Sequence, residues 1–225
     1  MNYNIIKFYM YTNILKNKLR AGWVQIGIEK ERTESIADHI FGTLALALAI
    51  DSEYSLNLDM LKVLKILTLH ELEEILMPDF TIRSNITKKE KYEKGKICVS
   101  KVVNGLFKEE EIENLLIEFS ERSTKEAKFC YLVDKIECDF QAKMYDLEGT
   151  FDLEKAKEDL KYYGKEAERV EKDAKCASDF WILYDRKIYE HNEIFKSLLE
   201  DIRKIDSNLY EEINNTKIEF ERENA

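Results

Sequence analysis

The amino-acid sequence predicts an all-α protein, and three observations support this fold class. The 225 residues include one proline, Pro78, and seven glycines, and these two residue types interrupt helices most strongly. Lys and Glu are abundant, and both are good helix formers. Apolar residues also recur at helical spacing in one segment after another.

The length of the chain suits one domain with an appended helical lobe. We therefore predict a core over residues 1–149. Residues 150–225 are heavily charged and would form C-terminal helices that pack on the core or mediate oligomerisation.

Charge and hydropathy exclude several classes of protein. The net charge of -10 repels phosphate backbones, so the sequence predicts no bulk nucleic-acid binding. No segment reaches the roughly 18 apolar residues of a membrane span, and the first twenty residues lack the pattern of a signal peptide. The four cysteines form no C-x-x-C pair, which fits free thiols in a reducing compartment. We expect a cytoplasmic protein.

The N-terminal elements are predicted from spacing and from breakers. Residues 4–18 should form an amphipathic helix packed on the rest, because four apolar residues recur there at helical spacing: Ile5, Phe8, Ile14 and Leu15. Residues 19–34 contain two glycines and are predicted to be a loop.

Two buried helices should follow. Ser35 is the predicted N-cap of the first, with Asp38 completing a capping box. The run IADHIFGTLALALAI is apolar on most sides of the helix that it would form, which is typical of burial. The second is predicted from about Met60 to Leu76, where Pro78 would end it.

Five further helices are predicted from their amphipathic patterns. The last predicted helix would carry an apolar patch formed by Trp181, Ile182 and Leu183. A homodimer could form through this patch. The predicted ranges are 88–103, 109–121, 124–146, 152–173 and 178–204.

Two histidines lie where a metal site could form. His39 belongs to the first buried helix, and His70 lies on the second, directly before Glu71. Desolvated carboxylates require a cation or a proton. On a continuous helix Glu74 would share the face of His70, and Glu73 would point to solvent. The side chains of His70 and Glu71 would be close enough to bind one ion.

Asp134 is the fourth candidate ligand. It follows three apolar residues in YLVDKIECDF, and a carboxylate in such a place is either paired or bound to metal. Lys135 is the alternative partner, although adjacent helical residues do not face each other well. Imidazole and carboxylate together favour Mn, Fe, Co, Ni or Zn over Ca.

The segments RTESIADH, LHELEE and VDKIECD together resemble the HD-domain phosphohydrolases. That family carries a His, then a His-carboxylate dipeptide one helix later, then a distant Asp, which correspond here to His39, His70 with Glu71, and Asp134. The dipeptide is usually His-Asp, so Glu71 adds a methylene. The resemblance covers residues 12–146 and implies an HD-domain helical bundle followed by an additional C-terminal helical region.

The chain is also similar to the 5′-deoxynucleotidase branch of that family. LRAGW precedes the first histidine, and two acidic residues follow the second at the spacing of the branch; the matching residues are Arg20, Trp23, Glu74 and Asp79. The resemblance implies one divalent transition metal ion, or Mg²⁺, and hydrolysis of (deoxy)nucleoside 5′-monophosphates to nucleoside and phosphate.

The matching residues suggest roles in that reaction. Glu74 would be a general acid or base, and Arg20 would hold the phosphate. Trp23 would contact the sugar or base, or close the core. Asp79 would accept a hydrogen bond from a sugar hydroxyl, or form a turn.

Two other functions stay open on the sequence alone. A nucleoside polyphosphate or pyrophosphate hydrolase of the same fold would need cations beyond Arg20, for which Lys88, Lys89 and Arg83 are candidates. A non-catalytic protein that binds metal or nucleotide is the second, suggested by Glu71 and by the long charged C-terminal region.

Overall fold

The computed structural model describes residues 2–223 and confirms the all-α prediction. In this range the only ladder-type pairing between extended segments is an isolated bridge between Leu19 and Ser35, and no helix is long and apolar enough to cross a membrane. The helices are α1 Asn2–Asn13, α2 Ala21–Gln25, α3 Ile36–Tyr54, α4 Met60–Leu69, α5 Lys88–Val103, α6 Glu109–Glu121, α7 Lys125–Leu147, α8 Leu153–Lys157, α9 Ala167–Asp173, α10 Ala177–Asp185, α11 Glu193–Lys204 and α12 Ser207–Glu223.

The chain divides into two compact units, Met1–Glu137 and Cys138–Ala225. The division falls inside α7 and not at the predicted position after residue 149. The predicted core and C-terminal region therefore overlap these units without coinciding with them, and all the predicted site residues belong to the first unit.

The start of the first unit differs from its prediction. Helix α1 ends at Asn13 and not at residue 18, and a short 3₁₀ turn follows it. Leu15 is buried and Phe8 partly buried as expected, but Ile5 and Ile14 are exposed. The predicted loop contains α2, because the side chain of Asp79 accepts a hydrogen bond from the first backbone N–H of that helix. A cap from a residue so distant in sequence leaves no local pattern.

Helix α3 starts as predicted and is buried less completely. Ser35 and Asp38 form the capping box. The buried residues His39, Thr43 and Ala47 follow one another four apart, so they lie on one face of the helix. The opposite side is exposed although it is apolar, as Phe41 shows. The prediction of burial on most sides was wrong, because one packed face is enough to hold this helix.

Helix α4 ends at Leu69, earlier than predicted. The next two residues form a turn, and a 3₁₀ segment, Leu72–Ile75, follows them. The Nζ of Lys18 donates hydrogen bonds to the carbonyl oxygens of Glu74 and Met77, so α4 gives way to a clamped turn. Helix α5 packs against this turn at Gly95, where a Cβ would collide with the carboxylate of Glu73.

One apolar cluster fixes the position of that turn in the first unit. Its residues come from the segment after α1, the start of α3, the 3₁₀ segment and α5. The buried members are Leu15, Ile36, Leu72, Ile75, Val99, Val102 and Val103. Burying side chains of this size stabilises the unit by about 1.5–3 kcal/mol each.

The second unit is more broken than predicted. The two long helices expected over 152–173 and 178–204 are replaced by shorter helices, α8 to α11, with 3₁₀ turns between them. Gly164 contributes to the interruption, since its φ of +55° is rarely adopted by residues with a Cβ. Ile182 and Leu183 are buried within this unit, so the predicted apolar patch is largely core.

Candidate metal centre and active site

Four predicted ligands converge at one point in the first unit. One potential ligand atom from each of His39, His70, Glu71 and Asp134 lies within 4.8 Å of the other three, and all four residues are buried. The two histidine Nε2 atoms are 3.3 Å apart. Oε1 of Glu71 lies 3.6 Å from each of them, so the longer side chain still reaches the cluster.

A backbone carbonyl orients His70. Its Nδ1 donates to the carbonyl oxygen of Leu67 at 2.7 Å, which leaves the Nε2 lone pair directed at the cluster. Burial lowers the pKa of His70, which favours the neutral form that a metal ligand requires. The ring of Phe119 packs edge-on against His70, with centroids 5.6 Å apart.

A carboxylate that the sequence analysis missed orients His39. Its Nδ1 contacts Oε2 of Glu137, and a carboxylate can only accept, so Nδ1 carries a proton. In the neutral ring Nε2 then keeps its lone pair, and it lies 3.2 Å from Oδ1 of Asp134. This is the carboxylate–histidine arrangement that commonly supports metal ligands. Glu137 follows Asp134 by three positions on α7 and therefore shares its face, a spacing that could have identified it.

Basic side chains accompany the two carboxylate ligands. Nη1 of Arg20 lies 3.0 Å from Oε1 of Glu71. Burial acts to raise the pKa of Glu71, but His70 and Arg20 outweigh it and lower that pKa to about 2. Nζ of Lys135 lies 2.9 Å from Oδ2 of Asp134. The expectation that these adjacent residues would not face each other was wrong.

The donor set fits a divalent ion. Both histidines use Nδ1 elsewhere, so two lone pairs face two carboxylate oxygens in a buried space. Nitrogen and oxygen acceptors at such distances repel one another unless a cation lies between them. Two imidazoles and two carboxylates suit the transition ions from Mn to Zn.

Glu74 is buried beside the cluster, with its Oε1 3.9 Å from Nζ of Lys91. Its side chain is 1% exposed, and Oε2 has no hydrogen-bond partner among the described residues. Burial raises its pKa to about 9, with further contributions from the charges of Glu71 and Asp79. The group is therefore a protonated acid at neutral pH.

Glu73 was predicted to be solvated, and the structure corrects this. Its side chain is only about a quarter exposed (25%), with Oε1 lying 3.6 Å from Nζ of Lys91. It also packs against Gly95. The helix assumed in the prediction ends before Glu73, so the direction of the side chain could not be obtained from helical spacing.

The cluster opens into a cavity of about 680 Å³. The cavity wall includes Arg20, Glu74 and Asp79 together with three of the four candidate ligands, His70, Glu71 and Asp134. The lining residues include Arg20, His70, Glu71, Glu73, Glu74, Asp79, Phe80, Lys88, Lys91, Tyr92, Lys96, Phe119, Ser120, Arg122, Tyr131, Asp134 and Lys135.

Trp23 is placed differently from the other predicted substrate contacts. It is 1% exposed, and its indole N–H donates to Oε1 of Glu34 at 2.7 Å. The core interpretation of Trp23 fits this position. Asp79 lines the cavity, and one of its carboxylate oxygens accepts from the backbone N–H of Ala21; its contact with a sugar hydroxyl stays a prediction.

The cationic residues proposed to bind a polyphosphate do not all line the cavity. Lys88 lines the cavity, whereas Arg83 donates to the backbone oxygen of Gln25. Four cavity cations were missed by the sequence analysis: Lys91, Lys96, Arg122 and Lys135. Lys135 lies within the motif segment VDKIECD, whereas the other three lie outside the motif segments.

A comparison with protein families identifies the class. Residues 12–176 match the model of the HD domain, and this range contains the whole cluster. The chain therefore belongs to the HD-domain family, and with its buried His, Glu and Asp cluster it is a metal-dependent phosphohydrolase.

Curated relatives refine the class. The chain is 33% identical over 150 residues to 5′-deoxynucleotidase HDDC2 of Dictyostelium discoideum, covering 64% of this chain and 78% of that protein. It is 32% identical over 168 residues to 5′-deoxynucleotidase hdd1 of Schizosaccharomyces pombe, covering 72% and 81%. The resemblance to an HD-domain, 5′-deoxynucleotidase-like family is confirmed.

Solved structures show the same fold. The PH0347 protein from Pyrococcus horikoshii superimposes with a TM-score of 0.63 at 23% identity, covering 88% of this chain and 97% of that one. A conserved hypothetical protein from Pyrococcus furiosus gives a TM-score of 0.64 at 22% identity, covering 89% and 99%.

Proposed function

We propose that the protein hydrolyses (deoxy)nucleoside 5′-monophosphates to nucleoside and phosphate. The observation that carries this proposal is one cavity whose wall includes Arg20 and Glu74 beside three of the four clustered residues, His70, Glu71 and Asp134. The names of the curated relatives support the same substrate class.

The metal is held by His39, His70, Glu71 and Asp134 in this proposal. Mn, Co, Fe, Ni and Zn are the candidate ions, with Mg²⁺ as the alternative. When bound, such an ion supplies positive charge to the phosphate oxygens and lowers the pKa of a coordinated water. Glu137 and the Leu67 carbonyl keep the two imidazoles in the tautomer that can bind it.

Arg20 binds and orients the phosphate. Its guanidinium lines the cavity and already contacts the ligand Glu71, so it lies beside the position of the reacting phosphorus. A guanidinium matches two phosphate oxygens at once. Asp79, also on the cavity wall, would accept a hydrogen bond from a sugar hydroxyl.

Glu74 donates the proton that the leaving 5′ oxygen requires. Its raised pKa keeps it protonated at neutral pH, which a general acid needs. A positioned proton donor typically contributes 10²–10⁴-fold. The clamp from Lys18 to the Glu74 carbonyl fixes the backbone from which this side chain extends.

A polyphosphate substrate is the second candidate, favoured by the row of lysines that α5 presents to the cavity. Lys88, Lys91 and Lys96 all line it, and a longer anion would contact more of them. Release of pyrophosphate or triphosphate in place of orthophosphate would distinguish this activity.

The first experiment measures phosphate release from ribo- and deoxynucleoside 5′-monophosphates with Mn²⁺, Co²⁺, Mg²⁺ or no metal. The test variant is His70→Ala with Glu71→Ala. Its matched control is Glu190→Ala with His191→Ala, an adjacent pair of the same two residue types that is exposed in the second unit.

Metal-dependent release that is lost in the test variant and kept in the control supports the proposal. No release with any ion, from folded protein shown to bind one, contradicts monophosphatase activity and leaves a polyphosphate substrate or a binding role. A homodimer and a cytoplasmic location are predictions that this assay does not address; light scattering of the full chain would measure the first.

A further inference from the structure

One wall of the cavity is built by the end of α6 and the first turns of α7. It carries aromatic and cationic side chains that the proposed hydrolysis does not use. The residues are Phe119, Ser120, Arg122, Tyr131 and Lys135.

Arg122 and Tyr131 form a stacked pair on this wall. The guanidinium carbon of Arg122 lies 3.6 Å from the centroid of the Tyr131 ring, which is close contact for a cation over an aromatic face. Arg122 is itself exposed, so the side of its guanidinium that is turned away from Tyr131 is accessible from the cavity.

The backbone of Arg122 adopts a conformation that is unusual for arginine. It ends α6 with φ of +53°, and its N–H bonds to the carbonyl oxygens of Glu118 and Phe119. Glycine or asparagine usually occupies such a position. An arginine there bears a conformational cost, which the contact of its side chain with Tyr131 offsets.

The pair lies one helical turn from the metal ligands. Tyr131 precedes Asp134 by three residues on α7, so both share one face with an axial separation of about 4.5 Å. Lys135 lies between the ligand Asp134 and the ring of Tyr131. Its Nζ is 2.9 Å from Oδ2 of Asp134 and 5.8 Å from the centroid of the Tyr131 ring. A phosphate held at the ligands therefore has the rest of its ester beside this wall.

We propose that the Arg122–Tyr131 pair is the platform on which the nucleobase stacks, with the base lying on the outer face of the guanidinium. This inference rests on the proposed nucleotide substrate. Bases stack readily on arginine planes, and stacking tolerates any base because each has a π-face. The platform therefore predicts affinity for nucleotides over base-free phosphates, with little discrimination among bases.

The test compares deoxyadenosine 5′-monophosphate with deoxyribose 5-phosphate, which lacks the base. Specificity constants, kcat/KM, are measured for the metal-loaded full chain and for Arg122→Gln, Arg122→Lys and Tyr131→Leu. The matched control is Tyr9→Leu. Tyr9 is an exposed tyrosine on α1, and it also forms a cation–aromatic pair, with Lys16.

We expect the ratio of the two specificity constants to fall about tenfold in each test variant and to stay unchanged in Tyr9→Leu. Arg122→Lys is the most informative variant, because it keeps the charge and loses the plane. Arg122 is exposed, so its variants should fold; circular dichroism checks this for all of them.

Equal losses on both substrates would show that the pair serves the phosphate, and unchanged constants would show that it contacts neither; each result overturns the inference. If the wild type hydrolyses neither compound, the proposed function fails separately. Calorimetric binding of the same two compounds to the same variants then gives the ratio without turnover, and an unchanged ratio of dissociation constants would overturn the platform.

Discussion

The two compact units both bury carboxylates, and they stabilise them in different ways. In the second unit Asp179 accepts from Nε of Arg203 at 2.8 Å and from the backbone N–H of Lys175 at 2.8 Å. Asp139 in the same unit accepts from the hydroxyl of Tyr189 at 2.6 Å. Each of these two acids thus accepts a hydrogen bond from a donor within the unit.

At the cluster in the first unit, acceptors face other acceptors, although Arg20 and Lys135 also pair with the two carboxylates. Carboxylate oxygens of Glu71 and Asp134 lie against imidazole nitrogens whose protons are on the far side of each ring. The comparison teaches that a buried acid alone does not indicate a metal site. The informative feature is the convergence of two imidazoles and two carboxylates at one buried point.

The largest effect should follow from removing a charge at that point. Asp134→Asn keeps the shape and loses a ligand charge, so we expect phosphate release to fall by about 10³-fold or more, the equivalent of several kcal/mol of charge stabilisation. Bound metal, measured by elemental analysis, should fall as well. Asp179→Asn is the matched control in the second unit; equal activity losses in both variants would contradict the distinction between the units.

Glu74→Gln should give the next largest effect, because Glu74 is buried beside the cluster without being one of its ligands. We expect kcat to fall about 10²-fold while the metal content stays unchanged. Loss of metal together with activity would instead make Glu74 part of the ligand set.

The raised pKa of Glu74 also predicts a pH dependence of stability in the metal-free protein. Between its usual value of 4.5 and about 9, the folded state holds a proton that the unfolded chain has released. Stability is therefore greatest below pH 4.5 as far as this group is concerned and falls as the pH rises toward 9. Glu74→Gln should flatten that part of the Tm profile, and a profile as steep as that of the wild type would show that Glu74 titrates normally.

Glu137→Gln should have a smaller effect, since Glu137 acts on the metal only through His39. Supporting carboxylates of this kind contribute about 10–100-fold to metal affinity, so we expect the affinity of the variant to fall by this factor. Competition with a chelator measures the metal affinity. Glu126→Gln is the control on the same helix, because Glu126 is also buried but accepts from the backbone N–H of Asp59. Equal metal affinity in both variants would argue against the orienting role.

Sequence patterns predicted the parts of this site that local chemistry determines. The capping box at Ser35 identified the start of α3, and so the position of His39 one turn later. The motif order then brought His70, Glu71 and Asp134 into one set, which the structure places together.

The features that were missed depend on contacts between distant segments. Nothing local ends α4 at Leu69, because the turn after it is held by Lys18 from an earlier segment. The cations of the cavity wall lie on α5, α6 and α7, and only the packing of these helices brings Lys91 and Arg122 to one space. Residue type alone could not separate them from the many other surface cations.

The smallest effect on activity should come from the second unit, where Asp179 pairs with an arginine and not with metal ligands. Arg203→Met removes the charged partner of Asp179, whose side chain is 5% exposed, and we expect a loss of about 1–3 kcal/mol in the free energy of unfolding. Urea unfolding measures this loss. Metal content and kcat of the folded variant should equal those of the wild type, because the ion pair stabilises the unit and takes no part in the chemistry. Unchanged stability with reduced metal binding would reverse the roles assigned to the buried acids of the two units.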